Sequence, residues 1–138
     1  MADDLGKLLQ NAGESWQAQL RRALAEQVPS AALGAGAAVL SQLDPASGTS
    51  QTALTAQMGL SKQAVQQLLD QLETQGLVRR EPDPEDKRAK RVVLTATGAE
   101  AAARRADASA KIEDQWRETL GRKRFKALRK ALREVAGG

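Results

Sequence analysis

The chain has 138 residues, with 21 Lys and Arg against 17 Asp and Glu for a net charge of +4; it contains no Cys, His or Tyr and a single Phe. That length suits one compact domain, and 41% apolar with 28% charged residues is the balance of an ordinary globular chain. Without Cys or His there are no disulfides, no thiol redox sensor, no thiolate or imidazole metal ligand, no Ser-His or Cys-His nucleophile and no imidazole pH switch, which leaves only carboxylate metal sites open.

The 26 Ala, with abundant Leu, Gln, Arg and Glu and few β-branched or aromatic residues, predict a mostly α fold. The start Met1-Ala2-Asp3-Asp4 is acidic where a signal peptide is basic. The uncharged stretch Gln27 to Leu43 is broken by Pro29, Ser30, Gly34 and Gly36. These features predict a cytoplasmic protein with no membrane span.

In chain order, Leu5, Leu8, Leu9, Ala12, Trp16, Leu20, Ala23, Leu24 and Val28 form the stripe of one amphipathic helix ending before Pro29. Ser30 is the expected N-cap of a second helix, Ala31 to Leu43, and residues 44–48 read as a loop. A short third helix spans Thr52 to Met58, with Ala53, Leu54, Ala56 and Met58 apolar, and stops at Gly59. Ser61 caps a fourth, running to about Gln75 with Ala64, Val65, Leu68, Leu69 and Leu72 on one face, and Gly76 closes it. The two form a helix-turn-helix pattern.

Leu77-Val78-Arg79-Arg80 and Lys90-Arg91-Val92-Val93-Leu94 are the β-like runs, joined by the turn chemistry of residues 81–86, and predict a hairpin wing. Thr95 caps a fifth helix whose buried side is expected to hold Ala99, Ala102, Ala103, Ala106, Ala110 and Trp116; it ends near Gly121. Phe125, Leu128, Leu132 and Val135 mark a sixth.

Charge is unevenly spread. Residues 1–30 hold three basic and four acidic side chains, whereas residues 104–133 hold eleven basic and four acidic. Arg122, Lys123, Arg124, Lys126, Arg129, Lys130 and Arg133 read equally well as a polyanion surface or as a solvated helix face. Lys87, Arg88, Lys90 and Arg91, four basic residues within five positions of a turn, fit plain helix solvation less well.

A helix that enters a DNA major groove buries one face and offers hydrogen-bonding side chains on the other. At about 100° per residue the fourth helix centres its apolar face on Leu68 and Leu72, leaving Gln63, Gln66 and Gln67 opposite and Lys62 at the flank. Gln can pair with adenine, Lys can donate to guanine or phosphate, and the Ser61 hydroxyl with the first free N–H groups can hold a phosphate. An isolated Gln-rich helix is more often merely soluble; here it precedes a basic hairpin. Arg88 is the candidate for the minor groove, Lys87 and Lys90 for phosphates. Asp86 is expected to order the wing, by accepting from turn N–H groups or by pairing with Arg79, Arg80 or Arg88.

Residues 54–65, from Leu54-Thr55-Ala56 to Gln63-Ala64-Val65, with Leu72 to Arg80 and Asp83 to Thr95, resemble the MarR family of bacterial transcription regulators. These segments make up about a quarter of the chain. The family's Asp-x-Arg wing motif falls on Asp86 and Arg88, and its Leu-Thr boundary on Leu94 and Thr95. The resemblance implies a winged helix-turn-helix lobe at residues 47–96 within a single domain 1–138, and terminal helices, 1–46 and 97–138, that intertwine in a homodimer. It implies a double-stranded, pseudo-palindromic DNA operator as partner and repression by promoter occlusion. A small ligand releases DNA in many members; the residues available to such a crevice are Trp16, Leu20, Trp116 and Arg117, although a Trp at core spacing is more often packing.

No cofactor, catalytic group or resident metal is expected. Ser61-Lys62 is no catalytic pair, because neighbours on a helix point about 100° apart. The competing classes are a non-specific architectural DNA-binding protein and a winged-helix adaptor whose Gln face meets protein.

Overall fold

The computed structural model describes residues 4–137; Met1, Ala2 and Asp3, which hold most of the acidic start, and Gly138 lie outside the described residues. The first helix, α1 (Leu5–Leu24), is capped by Asp4, whose carboxylate accepts from the Gly6 N–H at 3.1 Å. It stops short of the expected end, and Val28 reaches the core from a turn instead. Only the carboxyl-terminal part of its stripe, Leu20 and Leu24, is fully covered.

The second helix differs from expectation. A 3-10 turn over Ser30–Ala32 is followed by extended Leu33 and by Gly34 at φ 61°, and only then by α2 (Ala35–Gln42). Gly34 supplies a backbone conformation that interrupts any helix begun at Ala31. Ser30 is not a cap: the Gln75 amide bridges the turn, accepting from the Ala31 N–H at 2.6 Å and donating to the Ser30 hydroxyl at 2.9 Å.

Next come β1 (Thr49–Ser50), α3 (Gln51–Met58) and α4 (Lys62–Thr74). Ser50 and Ser61 cap the two helices through the Ala53 and Ala64 N–H groups, at 3.1 and 3.0 Å. Of the apolar positions expected in α3, Leu54 is buried and Met58 partly so, while Ala53 and Ala56 are exposed. α4 ends as expected at Gly76, where the Gly76 and Leu77 N–H groups donate to the carbonyls of Glu73 and Leu72.

The wing is β2 (Val78–Pro82) against β3 (Lys90–Leu94). The two-residue β1 adds a third strand that the sequence reading lacked, giving an antiparallel sheet in the order β1-β3-β2 with Thr49 opposite Val92 and Val78 opposite Leu94. Thr95 caps α5 (Ala96–Leu120) through the Gly98 N–H at 3.0 Å, and α6 (Arg122–Ala136) packs back on α5.

Leu20, Leu24, Val39, Leu40, Leu54, Val65, Leu69, Leu72, Leu77, Val78, Val92 and Ile112 form one core joining α1, α2 and α5 to the winged lobe. The covered side of α5 is Gly98, Ala101, Ala108 and Ile112; Ala99, Ala103, Ala106 and Ala110 face outward, and Ala102 and Trp116 are half-covered. Gly98 lets α5 approach the hairpin: a Cβ there would lie 1.9 Å from the Leu77 carbonyl oxygen and 3.2 Å from Leu94 Cδ2.

Gly98→Ala therefore forces the first turn of α5 off the sheet and is expected to cost about 1–3 kcal/mol in urea unfolding. A loss under about 0.5 kcal/mol, as for an ordinary surface change, would show that this approach is not tight.

Candidate nucleic-acid interface

The orientation of α4 follows from its inner face. Val65, Leu69 and Leu72 are all 0% exposed, at the spacing of successive turns. Leu68, expected near the centre of that face, lies at its half-covered edge. Lys62, Gln63, Gln66 and Gln67 consequently face out. At the amino end Ser61 uses its oxygen on the Ala64 N–H, and the preceding Lys62 and Gln63 N–H groups have no intrahelical partner.

Two aspartates build the wing turn. Asp86 accepts from the Arg88 N–H at 3.0 Å, while its own carbonyl accepts from the Ala89 N–H at 3.0 Å, so it orders the turn through the backbone. It does not pair with Arg79 or Arg80, which bind Glu81 and the Asp70–Glu73 pair. Sequence reasoning missed Asp83, which is only 6% exposed. Its carboxylate accepts from the Glu85 N–H at 2.9 Å and lies 3.7 Å from Arg91 Nη2. Arg91 Nη1 also donates to the Ser47 and Gly48 carbonyls, both at 3.2 Å, and so ties the wing to the loop before β1.

The cations therefore divide. Arg80 and Arg91 are held by partners, whereas no ion pair engages Lys62, Lys87, Arg88 or Lys90 among the described residues. Lys62, Gln66, Arg88 and Lys90 line one cleft of about 770 Å³ between α3, α4 and the wing. Ser61, Gln63, Gln67 and Lys87 lie outside it. The cleft adds Gln51, Thr52 and Thr55 from α3. The Ser50 cap was the available signal for them, since it starts α3 one residue earlier than expected.

Trp16, Leu20, Trp116 and Arg117 do not come together around one crevice. Trp16 and Trp116 meet edge to face, 5.4 Å between centroids, at one side of an apolar groove between α1 and α6. Leu20 is in the core. Arg117 pairs with Asp114 at 2.7 Å and sits 4.7 Å over the Phe125 ring. The basic stretch of α6 is mostly solvated, except that Arg129 pairs with Glu113 at 2.7 Å. No three Asp or Glu converge as a metal site, and no helix is long and apolar enough to cross a membrane, among the described residues.

A capped helix pair, a hairpin wing and free cations beside an exposed polar helix face define a winged helix-turn-helix lobe of the transcription-regulator class. The MarR family model matches residues 35–89. The transcriptional repressor CouR, in a structure bound to a 23-mer DNA duplex, is 30% identical with a TM-score of 0.82, covering 96% of this chain and 92% of CouR. CouR from Rhodococcus jostii RHA1 bound to p-coumaroyl-CoA is 26% identical with a TM-score of 0.74, covering 97% and 92% of the two chains. Apo MarR from E. coli, 23% identical, shares the fold with a TM-score of 0.75 over 98% of each chain. Comparison with curated protein sequences returns no match. The chain belongs to the MarR family, whose members are transcription regulators and not enzymes.

Arg80 fastens the wing to α4, its guanidinium 2.6 Å from Asp70 and 2.8 Å from Glu73, while its N–H donates to Glu73 at 3.1 Å. The Arg80 side-chain hydrogen bond, aided by its N–H, holds the Glu73 carboxyl below its ordinary value of 4.5. A carboxyl lowered by folding contributes stability above its unfolded value, and loses it as pH falls through the folded value. Urea unfolding from about pH 6 down to pH 3 is expected to show wild type losing more stability than Glu73→Gln. Superimposable pH curves for the two would contradict this coupling.

Proposed function

We propose that the protein is a dimeric, sequence-specific DNA-binding repressor that acts in the cytoplasm and is relieved by a small ligand. The observation that carries the reading is the set of unpaired cations, Lys62, Arg88 and Lys90, around a cleft shared with Gln66, beside cations of the same lobe that are neutralised. In this reading Gln63, Gln66 and Gln67 meet base edges, Ser61 and Lys62 the phosphates at the helix start, Lys87 and Lys90 the flanking backbone, and Arg88 the minor groove, with Asp86 shaping the tip. The DNA-bound form of CouR supports a duplex as partner, and its p-coumaroyl-CoA form supports a small effector.

The dimer is proposed from apolar surface. Leu5, Leu8 and Leu9 on α1 and Leu132 and Val135 on α6 are 42–76% exposed, and an apolar groove separates these helices. Large exposed apolar patches mark association surfaces. A second copy covers them by pairing the terminal helices, 1–46 and 97–138, and sets two lobes, 47–96, on successive half-sites of a pseudo-palindrome.

Binding to duplex DNA is expected to weaken steeply with salt, and Arg88→Ala to lower both affinity and the salt slope. Absence of binding to duplex DNA even at low salt would favour a protein adaptor. Leu9→Glu with Leu132→Glu is expected to give a monomer in sedimentation and, through loss of bivalency, to weaken operator binding by about 10²-fold or more. A folded monomer with undiminished affinity would refute the paired-half-site arrangement.

A further inference from the structure

Gln51 opens α3, and its Nε2 donates a hydrogen bond to Oε1 of Gln66 on α4. The backbone of Gln51 is anchored. Its carbonyl accepts from the Thr55 hydroxyl at 2.8 Å, and the preceding Ser50 both caps α3 and pairs with Arg91 across β1 and β3. Both amides line the cleft between α3, α4 and the wing.

A side-chain amide shows either an acceptor oxygen or a two-proton donor to whatever faces it, and the two ends interchange by rotation. An unsupported Gln66 offers both. Engaging its oxygen from Gln51 turns the Gln66 NH2 outward. We propose that Gln51 is a positioning residue that sets the specificity of Gln66, so that Gln66 selects guanine, with acceptors at O6 and N7, over bases that show an amino group in the major groove. This rests on α4 being the helix that enters the groove. It departs from the general expectation that Gln reads adenine, because that pairing needs the amide oxygen as well as the nitrogen.

The test is selection from a random duplex pool by wild type, Gln66→Ala, Gln51→Met and Gln51→Glu, each first checked for its unfolding midpoint. Gln66→Ala identifies the operator position that Gln66 reads. There wild type is expected to favour guanine about tenfold. Gln51→Met keeps length and neutrality but has no donor, and is expected to flatten the preference to that of Gln66→Ala. Gln51→Glu, an acceptor only, draws the Gln66 NH2 to itself and turns its oxygen to the groove. The preference is then expected to switch to adenine or cytosine, whatever uniform affinity the added negative charge removes.

Wild-type base preference retained by both Gln51 variants, or a uniform loss of affinity with the ranking of bases intact, would overturn the proposal while leaving the DNA reading in place. A wild-type protein that enriches no sequence would instead defeat sequence-specific binding itself, and the positioning role with it.

Discussion

Burial of one face of α4 is the constraint on which the rest of the lobe depends. Val65, Leu69 and Leu72 are sealed against the core formed with α2, α3 and the hairpin, so the helix cannot roll without exposing large aliphatic side chains. With that face held, the direction of every outward residue is determined. The same burial fixes the end of α4, from which Gln75 reaches the turn before α2 and Arg80 is gripped by Asp70 and Glu73. The helix and the wing are thus joined both by packing and by the Arg80 ion pairs.

Charge in this lobe has two uses, and geometry separates them. Arg80 and Arg91 lie half-covered among acceptors and hold elements together, and Arg91 reaches the buried Asp83 as well as the loop before β1. Lys62, Lys87, Arg88 and Lys90 stand in solvent without partners among the described residues. Surface ion pairs contribute little to stability. Leaving these four unpaired therefore costs the fold little and keeps a positive field available to a polyanion.

Much of the lobe was legible because its signals are local. Ser61 and Thr95 announce their helices, Gly59 and Gly76 end theirs, and the basic cluster beside a Pro-rich turn marks the wing. What was not legible depends on distant partners. The break at Gly34 is stabilised by Gln75, some forty residues on, and β1 exists only because β3 offers an edge to Thr49 and Ser50. Asp83 and Asp86 look alike in an acidic turn, and packing alone buries the first. In α5 Ala stands on every side, so alternation of apolar and polar residues could not identify the covered face, which the tight approach at Gly98 decides. The Gln51–Gln66 pair likewise joins two helices, and spacing along either one does not reveal it.

The most direct measurement is a hydroxyl-radical footprint of the protein on an enriched duplex, read on both strands. Two copies of the lobe, each with α4 in a major groove and its wing alongside, require two protected tracts related by a dyad, centred about 10 bp or a small multiple of that apart, with flanking minor-groove protection that disappears in Arg88→Ala. A single tract without dyad symmetry, or a footprint unchanged by Arg88→Ala, would contradict that arrangement.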